Sequence, residues 1–162
     1  MSLERLWAGW RSAYVEAAGD DDGCVLCRIL ASDDDREAHV VWRGERCAAV
    51  LNAFPYTSGH LMVMPVRHVG DLEDLDAAEA AELWSAVTDA VRALKAAYTP
   101  GGVNVGLNLG LAAGAGVPGH LHVHALPRWN GDTNFMTSAA ETRVLPEPLD
   151  ASDEKVRAAW PR

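Results

Sequence analysis

Three histidines in five residues, His120-Leu121-His122-Val123-His124, carry the densest chemistry of the chain, and Ala125-Leu126-Pro127-Arg128-Trp129 follows them. Side chains alternate between the two faces of a strand, so His120, His122 and His124 share one face while Leu121, Val123 and Ala125 share the other. One face is packed and the other is chemical. At about 3.3 Å per residue, adjacent histidines stand roughly 7 Å apart and the outer pair roughly 13 Å apart. Zinc–nitrogen bonds of about 2.0–2.1 Å let one metal take two neighbours, but taking all three would bend the strand badly. The roles are therefore split, and at least one imidazole is left for work other than metal binding. The plain alternative is an amphipathic strand with three partly exposed histidines. Against it, half of the six histidines fall in this run, directly after a Pro118-Gly119 turn.

A second cluster of chemistry is Cys24-Val25-Leu26-Cys27. Two thiolates at this spacing suit one zinc, with two further ligands from elsewhere. A thioredoxin-type redox pair competes with that, weakened because no strand precedes the motif. Cys47, inside an apolar run, reads as core.

The elements that position these groups follow from periodicity. Val40-Val41-Trp42 and Cys47 to Leu51, joined through Arg43-Gly44-Glu45, predict a hairpin ending at Asn52. His60 to Pro65 predicts a further strand stopped by proline. Asp76 with Glu79 forms a capping-box pattern, and Leu83, Trp84, Val87, Val91, Leu94 and Tyr98 make a helical core stripe ended by Thr99-Pro100-Gly101-Gly102. From Gly102 to Leu109 the residues alternate again, with Val103, Val105, Leu107 and Leu109 on one face and Asn104 and Asn108 on the other. A glycine-rich loop, Gly110 to Gly119, leads into the histidine strand, so these two strands should pair and share a polar face. Residues 3–17 suit a short amphipathic helix or wrapping arm that makes a dimer contact, and residues 150–160 suit a closing helix.

The whole chain sets bounds. A length of 162 residues without repeats or linkers predicts one domain over 1–162, with an N-terminal arm over 1–22 and a C-terminal extension over 130–162. The composition, 49% hydrophobic and 23% charged, is that of an ordinary globular protein. No apolar run is long enough to span a bilayer, the start lacks a signal-peptide layout, and three cysteines make no disulfide framework. A cytoplasmic location is expected. The net charge of -9 argues against long nucleic acids, whose binding rests on neutralising many phosphates, but leaves room for a small nucleotide held locally.

These residues resemble the histidine triad (HIT) family of nucleotide hydrolases and transferases, which attack an α-phosphate. The likeness rests on the triad with Ala125-Leu126-Pro127-Arg128, on Leu51-Asn52, Gly59-His60, Pro65 to His68, and Asn108 with Gly110. The Leu6-Trp7 to Trp10-Arg11 start and the Arg128-Trp129 to Met136 ending are similar to the bacterial branch of diadenosine tetraphosphate phosphorylases and hydrolases. The resemblance implies an α+β fold: a five-stranded antiparallel sheet with one long and one or two short helices, paired into a homodimer.

The resemblance also implies roles. His122 is the nucleophile that forms a nucleotidyl-histidine intermediate, and His124 binds the α-phosphate. Asn52 holds the ribose hydroxyls, and Asn108 meets the phosphate or the leaving group. Val25 and Leu26 fall at the base-pocket wall, or are core. Cys24, Cys27, His68 and His120 form a Cys₂His₂ structural zinc site, with His39 as a rival ligand; His60 is a supporting or structural strand residue. One departure stands out. Many members carry a polar Gln or Ser just before the triad, whereas this chain has Gly114-Ala115-Gly116-Val117, whose backbone N–H groups are left to cradle phosphate.

The expected activity is cleavage of a dinucleoside polyphosphate of the diadenosine tetraphosphate type, by water or by inorganic phosphate. Three alternatives remain at this stage: a nucleoside phosphoramidate hydrolase, a nucleotide-binding module with vestigial activity, and a hydrolase using zinc-bound water.

Overall fold

A computed structural model of the chain describes residues 23–132 and 147–161. In chain order the elements are α1 (Val25–Leu30), β1 (Val40–Arg43), β2 (Cys47–Leu51), β3 (Leu61–Pro65), α2 (Ala77–Tyr98), β4 (Gly102–Leu107), β5 (Val123–Arg128) and α3 (Leu149–Ala159). The strands form one sheet in the order β1-β2-β3-β5-β4, antiparallel throughout, so the α+β class with five strands, one long helix and two short ones stands as expected. The arm expected over 1–22 and the stretch 133–146 lie outside the described residues.

Each sheet face has its own core. On one face Val41, Ala49, Leu51, Leu61, Val63, Val123 and Ala125 pack against Leu83, Ala86, Val87, Ala90, Ala93 and Leu94 of α2 and Val156 of α3. On the other, Val40, Ala48, Val50, Met62 and Met64 pack against Leu26 and Leu30 of α1. Strands β2 and β3 are buried at every position because both faces are covered.

Helix α2 starts as its sequence requires. The Asp76 carboxylate accepts from the Glu79 N–H at 2.8 Å, and the Glu79 carboxylate returns a bond to the Asp76 N–H at 3.0 Å. The stripe needs correction: Trp84 is 46% exposed and Val91 only half-buried. The buried row runs through Leu83, Ala86, Val87, Ala90, Ala93 and Leu94, spaced three and four apart, with small alanines where the helix meets the sheet. Trp84 follows Leu83 by about 100°, which carries it off that row.

The ladder of β5 begins at Val123, so the strand does not include His120 or His122. The lead-in is held by loop bonds instead, with the His120 N–H on the Val117 carbonyl at 3.2 Å and the Leu121 N–H on the Val69 carbonyl at 2.6 Å. Alternation survives this change, because Leu121, Val123 and Ala125 all reach the α2 core. Strand β3 likewise starts at Leu61, one residue after His60. Strand β4 stops at Leu107, and Leu109 is exposed beyond it. Among the described residues no helix is long and apolar enough to cross a membrane.

Candidate active site

Cys24, Cys27, His68 and His120 converge from three parts of the chain, with one ligand atom of each lying within 4.8 Å of the others. The His120 Nδ1 stands 3.4 Å from the Sγ of both Cys24 and Cys27, and the His68 Nδ1 stands 3.3 Å from Cys27 Sγ. A tetrahedron with metal–sulfur bonds of about 2.3 Å and metal–nitrogen bonds of about 2.05 Å spaces sulfur and nitrogen about 3.5 Å apart, so the cluster fits a metal ion. The His120 Nε2–H is committed to the Pro65 carbonyl at 2.8 Å, which leaves the Nδ1 lone pair facing the thiols. Burial lowers the His120 pKa and keeps that ring neutral. His39 is not part of this cluster: its ring nitrogens lie 3.9 Å from Asp150 and 3.8 Å from Asp153.

A relay of rings continues from His120. The His122 Nδ1 lies 2.7 Å from the backbone carbonyl of His120, an oxygen that can only accept, so Nδ1 donates and Nε2 keeps its lone pair. His122 is 6% exposed, and burial lowers its pKa, holding it neutral near pH 7. Its ring meets His124 edge-on at 4.9 Å between centroids. The His124 Nδ1 in turn is 2.9 Å from His60 Nε2, and the Tyr56 N–H donates to His60 Nδ1 at 3.2 Å. A backbone N–H cannot accept, so His60 carries its hydrogen on Nε2 and gives it to His124 Nδ1. His124 in its neutral form then has its own hydrogen on Nε2, as a donor. The outcome is a lone pair on His122 beside a donor on His124.

His60 contributes more than a strand position. It is fully buried and sets the tautomer of His124. The Gly59-His60 pair that delivers it depends on a backbone feature: Gly59 has φ +78, and a Cβ there would meet the Tyr98 ring at 2.6 Å. The Tyr56 ring beside His60 was not singled out by sequence, since the turn signal of Pro55 to Gly59 gives an aromatic no assigned direction.

The remaining candidates are placed as follows. The Asn52 Oδ1 accepts from the Phe54 N–H at 2.9 Å, which fixes its amide at the end of β2. The Asn108 Nδ2 donates to the Gly114 carbonyl at 3.5 Å and so ties the end of β4 to the glycine-rich loop. In that loop the Gly114 N–H closes a turn on the Leu111 carbonyl at 2.9 Å and the Ala115 N–H donates to the Gly110 carbonyl at 3.3 Å, which spends two of the four N–H groups expected to cradle phosphate. Gly116 and Val117 lie further on, with Val117 against the α1 core. Leu26 belongs to that core at 3% exposure, so its core assignment is the one seen, while Val25 is 39% exposed. A concavity lined by Glu45, Arg46, Val66, Arg67, Asp76 and Glu79 shares no residue with the histidines, and its two arginines already face carboxylates.

An antiparallel sheet in an α+β fold that sets three imidazole tautomers next to a Cys/His cluster outlines a candidate histidine-centred site. The chain belongs to the HIT domain family, which matches residues 34–131. It is 40% identical to the AP-4-A phosphorylase of Mycobacterium tuberculosis across 99% of this chain and 86% of that one. It is 34% identical to the bis(5'-nucleosyl)-tetraphosphatase [asymmetrical] of Schizosaccharomyces pombe, across 59% of this chain and 52% of that one. The crystal structure of a zinc-bound histidine triad family protein from Mycobacterium smegmatis superposes with a TM-score of 0.67 at 29% identity, covering 85% of this chain and 92% of that one.

Proposed function

We propose that this chain cleaves a dinucleoside polyphosphate at an α-phosphate, with His122 Nε2 as the nucleophile. The observation that carries this is the tautomer relay, which leaves a lone pair on a buried neutral imidazole next to a donor. In the first step a bond forms between His122 Nε2 and phosphorus while the bond to the departing phosphate oxygen breaks, and that oxygen leaves with the electron pair. In the second, an oxygen of water or of inorganic phosphate attacks phosphorus, and the P–N bond breaks to return the pair to Nε2. His124 donates to the nonbridging oxygens, where charge accumulates. Asn52 takes the ribose hydroxyls, Asn108 the phosphate chain or leaving group, and the N–H groups of Gly116 and Val117 the phosphate; the N–H groups of Gly114 and Ala115, already spent on the Leu111 and Gly110 carbonyls, are subtracted from the expected cradle.

Cys24, Cys27, His68 and His120 would hold zinc, and four protein ligands make its contribution structural, leaving no position for a reacting water. The same view takes 1–162 as one catalytic domain acting in the cytoplasm on a small nucleotide, without nucleic acid or membrane partners. A second copy of the chain covers the open edge of β4, one of the two edge strands of the sheet, where Val105 is 44% exposed. Light scattering on the purified protein should return twice the 17.4 kDa chain mass; a monomer at micromolar concentration refutes the dimer.

Mass spectrometry of the protein quenched with diadenosine tetraphosphate should locate an adenylyl group on His122. His122→Asn should lose at least about a thousandfold in kcat while still binding nucleotide. With phosphate added, ADP as the product names a phosphorylase; AMP names a hydrolase. An untouched dinucleoside alongside a rapidly split adenosine phosphoramidate would put the activity on P–N bonds.

A further inference from the structure

We infer that Gly106 is a specificity-determining residue: the side chain it lacks leaves, beside His124, the space that takes the phosphate of the nucleotide. This rests on the function proposed above. Gly106 lies in the interior of β4, directly opposite His124 of β5. Residues paired in this way across antiparallel strands project from the same face, so a side chain at position 106 would stand next to the His124 ring.

The fold itself does not require glycine there. Glycine weakens a strand interior, because it loses more conformational freedom than any other residue and packs against nothing. Where this chain needs glycine the cause is visible. A Cβ at Gly44 would meet the Glu82 carboxylate at 2.2 Å, and Gly59 combines φ +78 with the Tyr98 ring at 2.6 Å. Gly106 has neither cause: its φ is outside the left-handed region, and a Cβ on it would meet no atom of the described residues within 4 Å. A strand glycine of this kind marks a place where a ligand approaches the backbone closely.

The neighbours on that face identify the ligand. His124 has a second cross-strand partner, Met62 of β3, which is buried in the α1 core. On the β4 side that core stops, and Gly106 is exposed between Asn104 and Asn108, which share its face by alternation. Both asparagines are engaged elsewhere, Asn104 accepting from Arg128 at 2.7 Å and Asn108 donating to the Gly114 carbonyl. Imidazole, amide and glycine backbone border the space, with no aliphatic side chain on this face of β4, which suits a phosphate rather than a base. The His122 ring is 4.9 Å from that of His124, so a phosphate seated over Gly106 is within reach of the nucleophile.

The test compares the dissociation constants of AMP and of adenosine, which differ only in the phosphate, by NMR titration. In Gly106→Val the affinity for AMP should fall about tenfold or more, the loss of one hydrogen bond to a charged group, while that for adenosine holds. The Tm of Gly106→Ala and of Gly106→Val should match or exceed that of the wild type, because the backbone there suits an L residue and valine favours strands. Gly102→Val adds the same side chain at the other glycine of β4, opposite Arg128 and roughly 13 Å along the strand, and should leave both constants unchanged. An AMP affinity that holds in Gly106→Val overturns the inference, as does an equal loss for AMP and adenosine. A lowered Tm in Gly106→Ala overturns it as well, since the strand would then require glycine for itself. A wild type that cleaves diadenosine tetraphosphate but binds AMP no better than adenosine overturns the phosphate space alone; one that neither binds AMP nor cleaves the dinucleoside overturns the proposed function and this inference with it.

Discussion

Tautomers in this site are set by groups that have no choice of role. The Tyr56 N–H can only donate and the His120 carbonyl can only accept, so two backbone groups settle three imidazoles. Cys47 shows the opposite use of burial. It is fully buried, and burial with the Glu82 and Glu79 carboxylates pushes its thiol up to about 12. Iodoacetamide at pH 8 should therefore label Cys24 and Cys27 in metal-stripped folded protein and leave Cys47 unmodified until denaturant is added; labelling of Cys47 in the native state would contradict this burial.

Among the elements, the N-terminus of α2 shows how one carboxylate serves several neighbours. The Arg67 guanidinium, at 2.8 and 2.7 Å, and the Asp76 N–H pull the Glu79 carboxyl down to about 2. Because the folded pKa is lowered, the stabilisation is full above the ordinary value of 4.5 and is lost as the pH falls toward 2. Urea unfolding from pH 6 to pH 3 should show stability declining below about 4.5, and Glu79→Gln should flatten that decline. Asp76→Ala, which removes the other half of the cap, should cost about 1 kcal/mol at neutral pH.

At the scale of the whole molecule, His120 ties the Cys/His cluster to the rest of the site. Its Nδ1 faces the two thiols, its Nε2–H holds the Pro65 carbonyl at the end of β3, and its own carbonyl orients His122. Removing one cluster ligand should therefore loosen both α1 and the approach to β5. Metal analysis should find about one zinc per chain in the wild type, and Cys24→Ser should lose it together with several degrees of Tm. Full activity and an unchanged Tm in a zinc-free variant would separate the cluster from the fold. Activity abolished by a chelator in a protein that stays folded would instead point to a reacting metal.

The sequence alone determined what depends on local periodicity and residue type. The five strands, the capped long helix and the closing helix were legible because alternation and capping chemistry are properties of short segments. Trp84 and Val91 were misplaced because the alanines of the true core row carry almost no hydrophobic signal, and only the closeness of α2 to the sheet selects them. The start of β5 at Val123 was equally out of reach, since it depends on where Val117 and Val69 offer carbonyls. Only tertiary structure placed His60 against His124 and decided between His68 and the rival His39, because these pairings join residues far apart in the chain and leave no periodic trace within it.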